Sequence, residues 1–289
     1  MRRAFFVLLS TLALLPSAAC ARPASSAEMP AAVQWSVDSR GRSDGKVQFE
    51  LSYRTAHSNS VYSRTADVSE LGGLSRAALQ ADAAGPVRFR LTRDAGSFAC
   101  EGMAGRGRGS GDCRFEPGRA FAAELARRGY GAASDVQLFD LAMSDIGLAF
   151  ADELQRQGYA RSTIDELAEA GHHGVNAAYL RDMGALGYRA GRLQALIRMR
   201  DHGVSVDYVR SLADNGLRAP APDGLVQLRD HGVSGAFVRD LATLGYGGLA
   251  PDEIVRLRDY GVTSEFIRRA NAGGVRRSPE ELVRLRTGG

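Results

Sequence analysis

The chain of 289 residues has little lysine, few cysteines and no long run of charge of one sign. Lys46 is the single lysine among 37 basic residues, so the positive charge is almost entirely arginine, and the formal net charge is only +4. Arginine is interspersed with Asp and Glu, and this mixed pattern lacks the basic arm that is typical of nucleic-acid-binding proteins. We therefore predict that the protein does not bind nucleic acid.

Motifs typical of catalysis are also absent from the sequence. There is no G-x-S-x-G nucleophile elbow, no H-E-x-x-H zinc motif, and no cysteine–histidine pair with a free thiol. The acidic pairs Asp165-Glu166 and Asp252-Glu253 lie at predicted helix starts, where carboxylates stabilise the positive end of the helix dipole. His57 is isolated. We predict no catalytic residue, no cofactor and no metal, and a hydrolase is the least favoured of three functional hypotheses.

A long hydrophobic run occurs only at the N-terminus. Residues 1–3 are Met-Arg-Arg, residues 4–15 form an apolar stretch of 12 residues, and residues 16–21 (PSAACA) are mostly small. This order is typical of a secretory signal peptide, and the apolar stretch is shorter than the roughly 20 residues of a transmembrane helix. We predict a signal peptide over 1–21, a linker over 22–32, and an exported protein, periplasmic or extracellular, with no transmembrane segment after the signal.

Cys20 leaves two alternatives for the processed N-terminus. The tripeptide Ala19-Cys20-Ala21 fits an ordinary A-x-A cleavage site. The segment Ser17–Cys20 resembles a lipobox that lacks the usual Leu at its first position, and cleavage there would make Cys20 the lipidated first residue of a bacterial lipoprotein. In both cases the linker would tether the rest of the chain, and in the second case a lipid anchor would hold it at a membrane.

Residues 33–116 have the alternation of apolar and polar residues that is typical of β-strands. Apolar residues occupy every second position over 33–37, 47–53 and 87–91, and Gly or Asp-Gly separates these runs. A short helix is predicted around 75–83. We predict a small antiparallel β-domain of about six strands, arranged as a sandwich or a meander.

The last predicted hairpin of this domain carries two cysteines, Cys100 and Cys113. Cysteines on facing strands of an exported protein are expected to pair, and closing so short a loop stabilises the fold by about 3 kcal/mol. Between them lies Gly102–Gly111 (GMAGRGRGSG), which joins two strands and opens no helix, so it is not a P-loop. We predict a flexible, solvated hairpin tip. The alternative is an anion site made by backbone N–H groups with Arg106 and Arg108.

Residues 117–289 contain a repeat of 29 residues. One series of glycines recurs six times, and a second series recurs four times and is followed each time by Val. The first series is Gly129, Gly158, Gly187, Gly216, Gly245 and Gly274, and the second is Gly174, Gly203, Gly232 and Gly261. Each glycine follows an apolar-periodic segment, as is typical of the left-handed residue after a helix end. The pattern predicts about six two-helix units stacked as an α-solenoid, so the whole chain is α+β.

Polar residues two positions after the second glycine series predict where the next helix begins. These N-cap residues are Asn176, Ser205, Ser234 and Thr263. The third residue after each of these caps is aromatic, and the position four residues further on is Leu, Met or Ala, so the pair is expected to form the buried stripe of the helix.

Histidine and Arg-Asp also recur with the repeat. His173, His202 and His231 share one register, but equivalent positions of stacked helices lie about 10 Å apart, whereas zinc ligands lie about 2 Å from the ion. We predict that these histidines lie in the last helical turn, where the helix dipole favours positive charge. The Arg-Asp pairs, such as Arg200-Asp201 and Arg229-Asp230, are predicted to be solvated ion-pair faces.

The phrase L-x-x-L-R-D-H-G-V-[ST]-x-x-[FY]-[VI]-R-x-L-x-x-x-G-Y resembles repeats in uncharacterised exported bacterial proteins. Similar phrases occur in the extracytoplasmic tails of membrane metallopeptidases of the beta-lactam-sensor type. The resemblance covers residues 117–286 and implies a sensing or interaction module outside the cytoplasm. The H-E-x-x-H motif and the membrane helices of those metallopeptidases are absent here, so their activity is not implied.

Three functional hypotheses follow from the sequence, in decreasing order of preference. The first is an exported, non-enzymatic module whose helical-repeat surface binds another envelope or extracellular protein. Its candidate surface is one register of the first helices of each unit: Arg181, Arg210, Arg239 and Arg268. The alternative is a glycan or small-ligand binder with its site on the β-domain, at Gly102–Gly111. The third is a hydrolase.

Overall fold

A computed structural model describes residues 29–30, 32–42, 45–55, 59–189, 191–217 and 220–289 of the chain. The predicted signal peptide, Cys20, most of the predicted linker and His57 lie outside these residues. Within them, no helix has both the length and the apolar composition that crossing a membrane requires.

Residues 33–117 form one antiparallel sheet of seven strands. The strands are β1 (Val33–Asp38), β2 (Lys46–Arg54), β3 (Asn59–Asp67), β4 (Leu71–Gly72), β5 (Gly85–Arg93), β6 (Gly96–Gly105) and β7 (Arg108–Pro117). Their order is β3-β2-β1-β7-β6-β5-β4, so two meanders join along the first and last strands. The predicted helix is present as α1 (Arg76–Gln80), and the sheet has one strand more than the sequence predicts.

The core of the β-domain lies on the face of the sheet that bears the alternating apolar residues. Trp35 of β1 is 2% exposed, and its ring packs edge-to-face on Phe89 of β5 with 4.8 Å between centroids. Cys100 and Cys113 lie directly opposite each other on β6 and β7 and form a disulfide, which confirms the predicted pairing.

The prediction of a flexible loop over Gly102–Gly111 is wrong, because most of this segment is paired strand. Only Arg106 and Gly107 form the turn, and both are left-handed, with φ of 55° and 78°. The turn is also fixed to the rest of the domain. The N–H of Arg106 donates to the carbonyl of Ala81 at 2.8 Å, and the N–H of Gly107 donates to that of Leu79 at 2.7 Å. The backbone groups that an anion would need are therefore largely used within the domain.

The glycines of this hairpin make room for the buried tryptophan. A Cβ at Gly111 would lie 2.8 Å from Nε1 of Trp35, and one at Gly102 would lie 2.8 Å from Cζ2 of the same ring. The Nε1–H of Trp35 donates to the carbonyl of Glu101 at 3.0 Å. The glycine-rich composition thus serves the packing of one large ring against two strands, where any side chain would collide.

The remaining described residues form short helices in two layers. The helices are α2 (Arg119–Arg127), α3 (Asp135–Met143), α4 (Leu148–Arg156), α5 (Ile164–His172), α6 (Ala177–Ala185), α7 (Leu193–Asp201), α8 (Val206–Asp214), α9 (Pro222–Asp230), α10 (Gly235–Leu241), α11 (Pro251–Asp259), α12 (Ser264–Ala270) and α13 (Pro279–Thr287). Each even-numbered helix contacts the next even-numbered helix, and each odd-numbered helix the next odd-numbered one. The α+β prediction of a β-domain followed by stacked two-helix units is confirmed.

Local sequence signals set the ends of these helices. The predicted N-cap side chains each accept a hydrogen bond from the backbone N–H three residues on; for Ser205 this bond comes from Tyr208 at 3.1 Å. Every glycine of both series has positive φ. At the end of α7, Gly203 has φ of 71° and the N–H of Val204 donates to the carbonyl of Met199 at 2.9 Å, which is a Schellman helix end.

The first repeat unit packs on the sheet. The ring of Phe139 on α3 lies among three aromatic rings of the β-domain, with 5.0 Å between its centroid and that of Tyr53. Arg93 pairs with Asp145, and Asp94 accepts the N–H of Leu148 at 3.0 Å, so this side chain caps α4 where Gly147 offers none. Asp145 stands where later units have glycine and takes the same left-handed conformation, with φ of 58°, and its side chain forms the ion pair that joins the two domains.

Candidate functional site

Four arginines of the odd-numbered helices, three of them from Arg-Asp pairs, stack on aromatic rings. Their guanidinium carbons lie 5.1–5.7 Å from ring centroids of the preceding even-numbered helix. The pairs are Arg200 with Tyr179, Arg229 with Tyr208, Arg258 with Phe237, and Arg286 with Phe266. We call these four arginines the stacked column. The prediction of purely solvated ion pairs is therefore wrong for Arg200, Arg229 and Arg258, because each contributes a cation–π contact between helices.

The stacked column also covers the helix ends that the glycines form. A Cβ at Gly174 would lie 3.2 Å from Nε of Arg200, and one at Gly203 would lie 3.3 Å from Nε of Arg229. At the last unit, Nε of Arg286 donates to the carbonyl of Gly261 at 3.1 Å. Arg200 and Arg229 therefore contact both the preceding even-numbered helix and the end of the preceding odd-numbered helix, whereas Arg258 contacts the ring of Phe237 and leaves Gly232 uncovered.

The aspartates of the same pairs contact the histidine series. Nδ1 of His173, His202 and His231 lies 2.5, 2.8 and 2.9 Å from the Oδ1 of an aspartate one unit further on. Those aspartates are Asp201, Asp230 and Asp259. Each histidine is the C-cap of its helix, as expected, but its partner lies in the next unit. Among the described residues, no group of three or more His, Cys, Asp or Glu is arranged to hold a metal ion.

Two tyrosines of the buried stripes also link one unit to the next. The hydroxyl of Tyr179 donates to the carbonyl of Val204 at 2.9 Å, and that of Tyr208 donates to the carbonyl of Val233 at 3.0 Å. Burial raises the pKa of each tyrosine to about 12. The most conspicuous residues of the repeat thus hold neighbouring units together, which leaves the function to other positions.

A second arginine series is exposed and makes few contacts within the chain. Its members lie at the same register of four consecutive even-numbered helices, α6, α8, α10 and α12, which stack on one another. They are the arginines that the sequence predicts as a partner surface, and we call them the open column: Arg181, Arg210, Arg239 and Arg268. The structure therefore places all four predicted residues in one row on one layer of the solenoid.

The surroundings of the open column leave its guanidinium groups accessible. Arg210 pairs with Asp207 and Arg239 with Asp240, each at 3.5 Å and with the arginine side chain more than half exposed. Among the described residues neither Arg181 nor Arg268 forms an ion pair, although the charge of Arg181 contributes to the lowered pKa of Glu153 on α4. Small exposed residues such as Ala178 and Ala185 flank Arg181 on its helix. The row therefore presents four exposed guanidinium groups, with carboxylates such as Asp182, Asp207 and Asp240 on the same helices.

The open column begins only at the third unit. The same register holds Asp152 in α4 and Ala123 in α2. Asp152 accepts a hydrogen bond from Nε of Arg128 at 2.8 Å. The first two units, which adjoin the β-domain, therefore lack the row, and its length is four helices.

The sequence gives no indication of one acidic residue, Asp140, whose environment is unusual. Burial raises the pKa of Asp140 on α3 to about 6, with the nearby charge of Asp165 adding to the effect. No hydrogen bond to its carboxylate is found among the described residues, whereas Asp165 accepts one from Gln137 at 2.8 Å. Raised carboxyl pKa values occur at functional sites. The group beside Asp140 is a second carboxylate, that of Asp165, and the packing of α3 against α5 brings the two together.

The β-domain has a cleft of about 780 Å³ on strands β5, β6 and β7. Arg88, Arg90 and Arg114 line it together with Glu101 and Asp112. A second depression of about 720 Å³ lies over the same strands nearer the hairpin turn. These volumes are in the range of small-molecule sites. The cleft is lined by paired strands, so a ligand there would contact side chains rather than a glycine loop.

The resemblance of the repeat to those of exported bacterial proteins and sensor metallopeptidases stays a prediction. A scan of the chain against protein-family models and searches of curated proteins and of solved structures find no match.

Proposed function

We propose that the protein is an exported, non-enzymatic interaction module that binds an acidic partner protein along the open column. The observation that carries this proposal is the difference between the two arginine series. The stacked column has ring, backbone and helix-end contacts within the chain, whereas the open column has at most a long, exposed ion pair. Four arginines in one row are more than the fold requires there.

The side chain itself indicates the chemistry of the partner. Arginine stays protonated at any physiological pH and presents a planar set of donors that matches a carboxylate in two hydrogen bonds. A row of such groups fits a partner that carries several Asp or Glu side chains. Because the sequence predicts a signal peptide over 1–21, the partner is expected to be another envelope or extracellular protein. The Cys100–Cys113 disulfide is compatible with an oxidising compartment.

The proposal is tested by affinity capture from the native envelope. The bait is the full exported chain, compared with a variant in which the four open-column arginines are changed to Gln. A matched control changes four exposed arginines outside every candidate site, Arg40, Arg119, Arg127 and Arg198, to Gln, which removes the same charge. We expect the control to retain the partner and the open-column variant to lose it.

Equal capture by both variants would count against the open column as the site. Loss by both would indicate that net charge alone retains the partner. The unfolding midpoints of all three proteins are measured in the same buffer, so a loss of capture is compared only among folded proteins.

A small-ligand or glycan binder is the second candidate, favoured by the arginine-lined cleft on the β-domain. An anionic sugar or small carboxylate would suit Arg88 and Arg114, whose side chains are 88% and 81% exposed. A thermal-shift screen of such ligands on the full chain tests it. A shift in the wild type that is abolished by Arg88→Gln with Arg114→Gln, and not by the open-column changes, would favour this function over the first.

A further inference from the structure

The open column has a regular spacing that limits which acidic segments match it. The four even-numbered helices that carry it stack in order, α6 on α8, α8 on α10 and α10 on α12. Packed helices lie about 8–10 Å apart, and each contributes one arginine at the same register. The row therefore offers positive charges about 8–10 Å apart over three intervals.

Two common backbone conformations fit this row less well, the β-strand because of its spacing and the α-helix because of the surface on which it docks. In a β-strand, side chains on one side recur every second residue, about 6.6–6.8 Å apart, so acidic groups would leave register after the first arginine. In an α-helix, side chains on one face recur every seven residues, about 10.5 Å apart. A helix also needs an apolar groove to dock. The large apolar residues that are exposed in the described chain, such as Val61, Met103 and Leu285, lie outside α6, α8, α10 and α12.

A polyproline II segment does match. It has three residues per turn and a rise of about 3.1 Å per residue, so every third side chain lies on one side and recurs about every 9.3 Å. An acidic residue at every third position would therefore meet one arginine per helix. Such a segment is also extended before binding, so it loses little conformational entropy when it docks.

We propose that the partner of the open column is an acidic segment in polyproline II conformation with Asp or Glu at every third residue, at least four times. This inference rests on the proposed function and adds the sequence period of the ligand. The binding free energy would come from exposed carboxylate–guanidinium pairs, each of which contributes little alone. The affinity is therefore expected to be modest, to depend on all four pairs and to fall as the salt concentration rises.

The test uses synthetic peptides and the full exported chain. The first peptide is (Glu-Pro-Pro) repeated five times. The second has the same composition with its five Glu consecutive, and the third has Glu at every second position over the same total charge. Binding is measured by fluorescence anisotropy at low salt on the wild type, on the open-column Gln variant, and on the control variant with Arg40, Arg119, Arg127 and Arg198 changed to Gln.

We expect the period-three peptide to bind the wild type and the control about tenfold more tightly than either isomer, a difference of about 1.4 kcal/mol. The open-column variant is expected to lose this preference. Equal binding of the three peptides, or preference for the period-two peptide, would overturn the inference. Tighter binding of an oligouronate of matched charge than of any peptide would also overturn it, because the ligand would then be an acidic polysaccharide.

Failure of this inference and failure of the proposed function give different results. If the peptides bind without preference while the open-column variant still loses the native partner, the period is wrong and the interaction module stands. If the open-column variant retains the native partner as well, both proposals fail.

Discussion

The repeat domain carries two arginine columns with almost the same spacing, and they differ in what each guanidinium group touches. Arg229 lies over the ring of Tyr208 and against the helix end at Gly203, although its side chain reaches solvent. Arg210, on the helix just before it, meets solvent and a single distant carboxylate. Recurrence alone therefore does not separate structural from functional residues. The contacts that each guanidinium group makes within the chain separate the two kinds of residue.

The largest expected effect on stability follows from removing three arginines of the stacked column, compared with three of the open column. The triple change Arg200→Ala, Arg229→Ala and Arg258→Ala removes three cation–π contacts and should lower the free energy of unfolding by about 2 kcal/mol. The matched triple in the open column, Arg181, Arg210 and Arg239 to Ala, should change it by less than about 0.5 kcal/mol per site. Urea unfolding of both variants measures this, and equal losses would remove the distinction between the columns.

Asp140 sharpens the comparison, since its carboxylate lacks the hydrogen-bond partner that Asp165 and Asp201 have. Its folded-state pKa of about 6 lies above the usual 3.8, so the fold favours the protonated form. Stability is therefore highest below pH 4 with respect to this group, declines as the pH rises from about 4 to about 6, and remains lower above that.

The change Asp140→Asn should consequently stabilise the protein at pH 7 by about 1–2 kcal/mol, allowing for the partial exposure of the side chain. The difference from wild type should disappear at pH 4. Denaturant unfolding at the two pH values measures it, with Asp165→Asn as the control that removes the neighbouring charge. An Asp140→Asn protein that is less stable than wild type at pH 7 would show that the ionised carboxylate has a stabilising partner.

The tyrosine hydroxyls that join the units should contribute a smaller amount. Tyr208→Phe removes the hydrogen bond to the carbonyl of Val233 and should cost about 1 kcal/mol. Tyr260→Phe is the control, because Tyr260 is 48% exposed. Thermal unfolding of the two variants checks the prediction, and an unchanged midpoint for Tyr208→Phe would mean that the hydroxyl does not stabilise the junction.

The smallest effect is expected from the histidine–aspartate contacts. Asp230→Asn weakens the contact between Asp230 and His202. Both side chains are about 40% exposed. Exposed pairs of this kind contribute under about 1 kcal/mol to the free energy of unfolding. Asp207→Asn, in the even-numbered layer beside Arg210, should have even less effect on unfolding. A cost for Asp230→Asn as large as that of the stacked-column triple would show that these contacts, rather than the arginines, hold the units together.

What the sequence reveals is mainly local. Helix caps, left-handed glycines and apolar stripes depend on residues within one turn, so Ser205 and Gly203 predict their helix ends correctly. The stacking of Arg229 on Tyr208 and the His202–Asp230 contact join residues 21 and 28 positions apart. Such contacts depend on how the helices pack against one another, and no local sequence pattern specifies that packing.

In the glycine-rich hairpin, by contrast, the local composition predicts the wrong structure. Glycine is depleted in strands, so Gly102–Gly111 has the composition of a loop. The strand forms because its partner segments pair with it and because the ring of Trp35 occupies the space that side chains would fill. Of the candidate site, the sequence predicts the register of the open column but not its freedom from contacts, and it does not predict the cleft on the β-domain.

The most direct test measures stability and partner capture on the same two triple variants. We expect the stacked-column triple, Arg200, Arg229 and Arg258 to Ala, to lose stability and, at a temperature where it is folded, to retain the native partner. We expect the open-column triple, Arg181, Arg210 and Arg239 to Ala, to keep wild-type stability and to lose the partner. An open-column variant that is fully stable and captures the partner as wild type does would contradict the account.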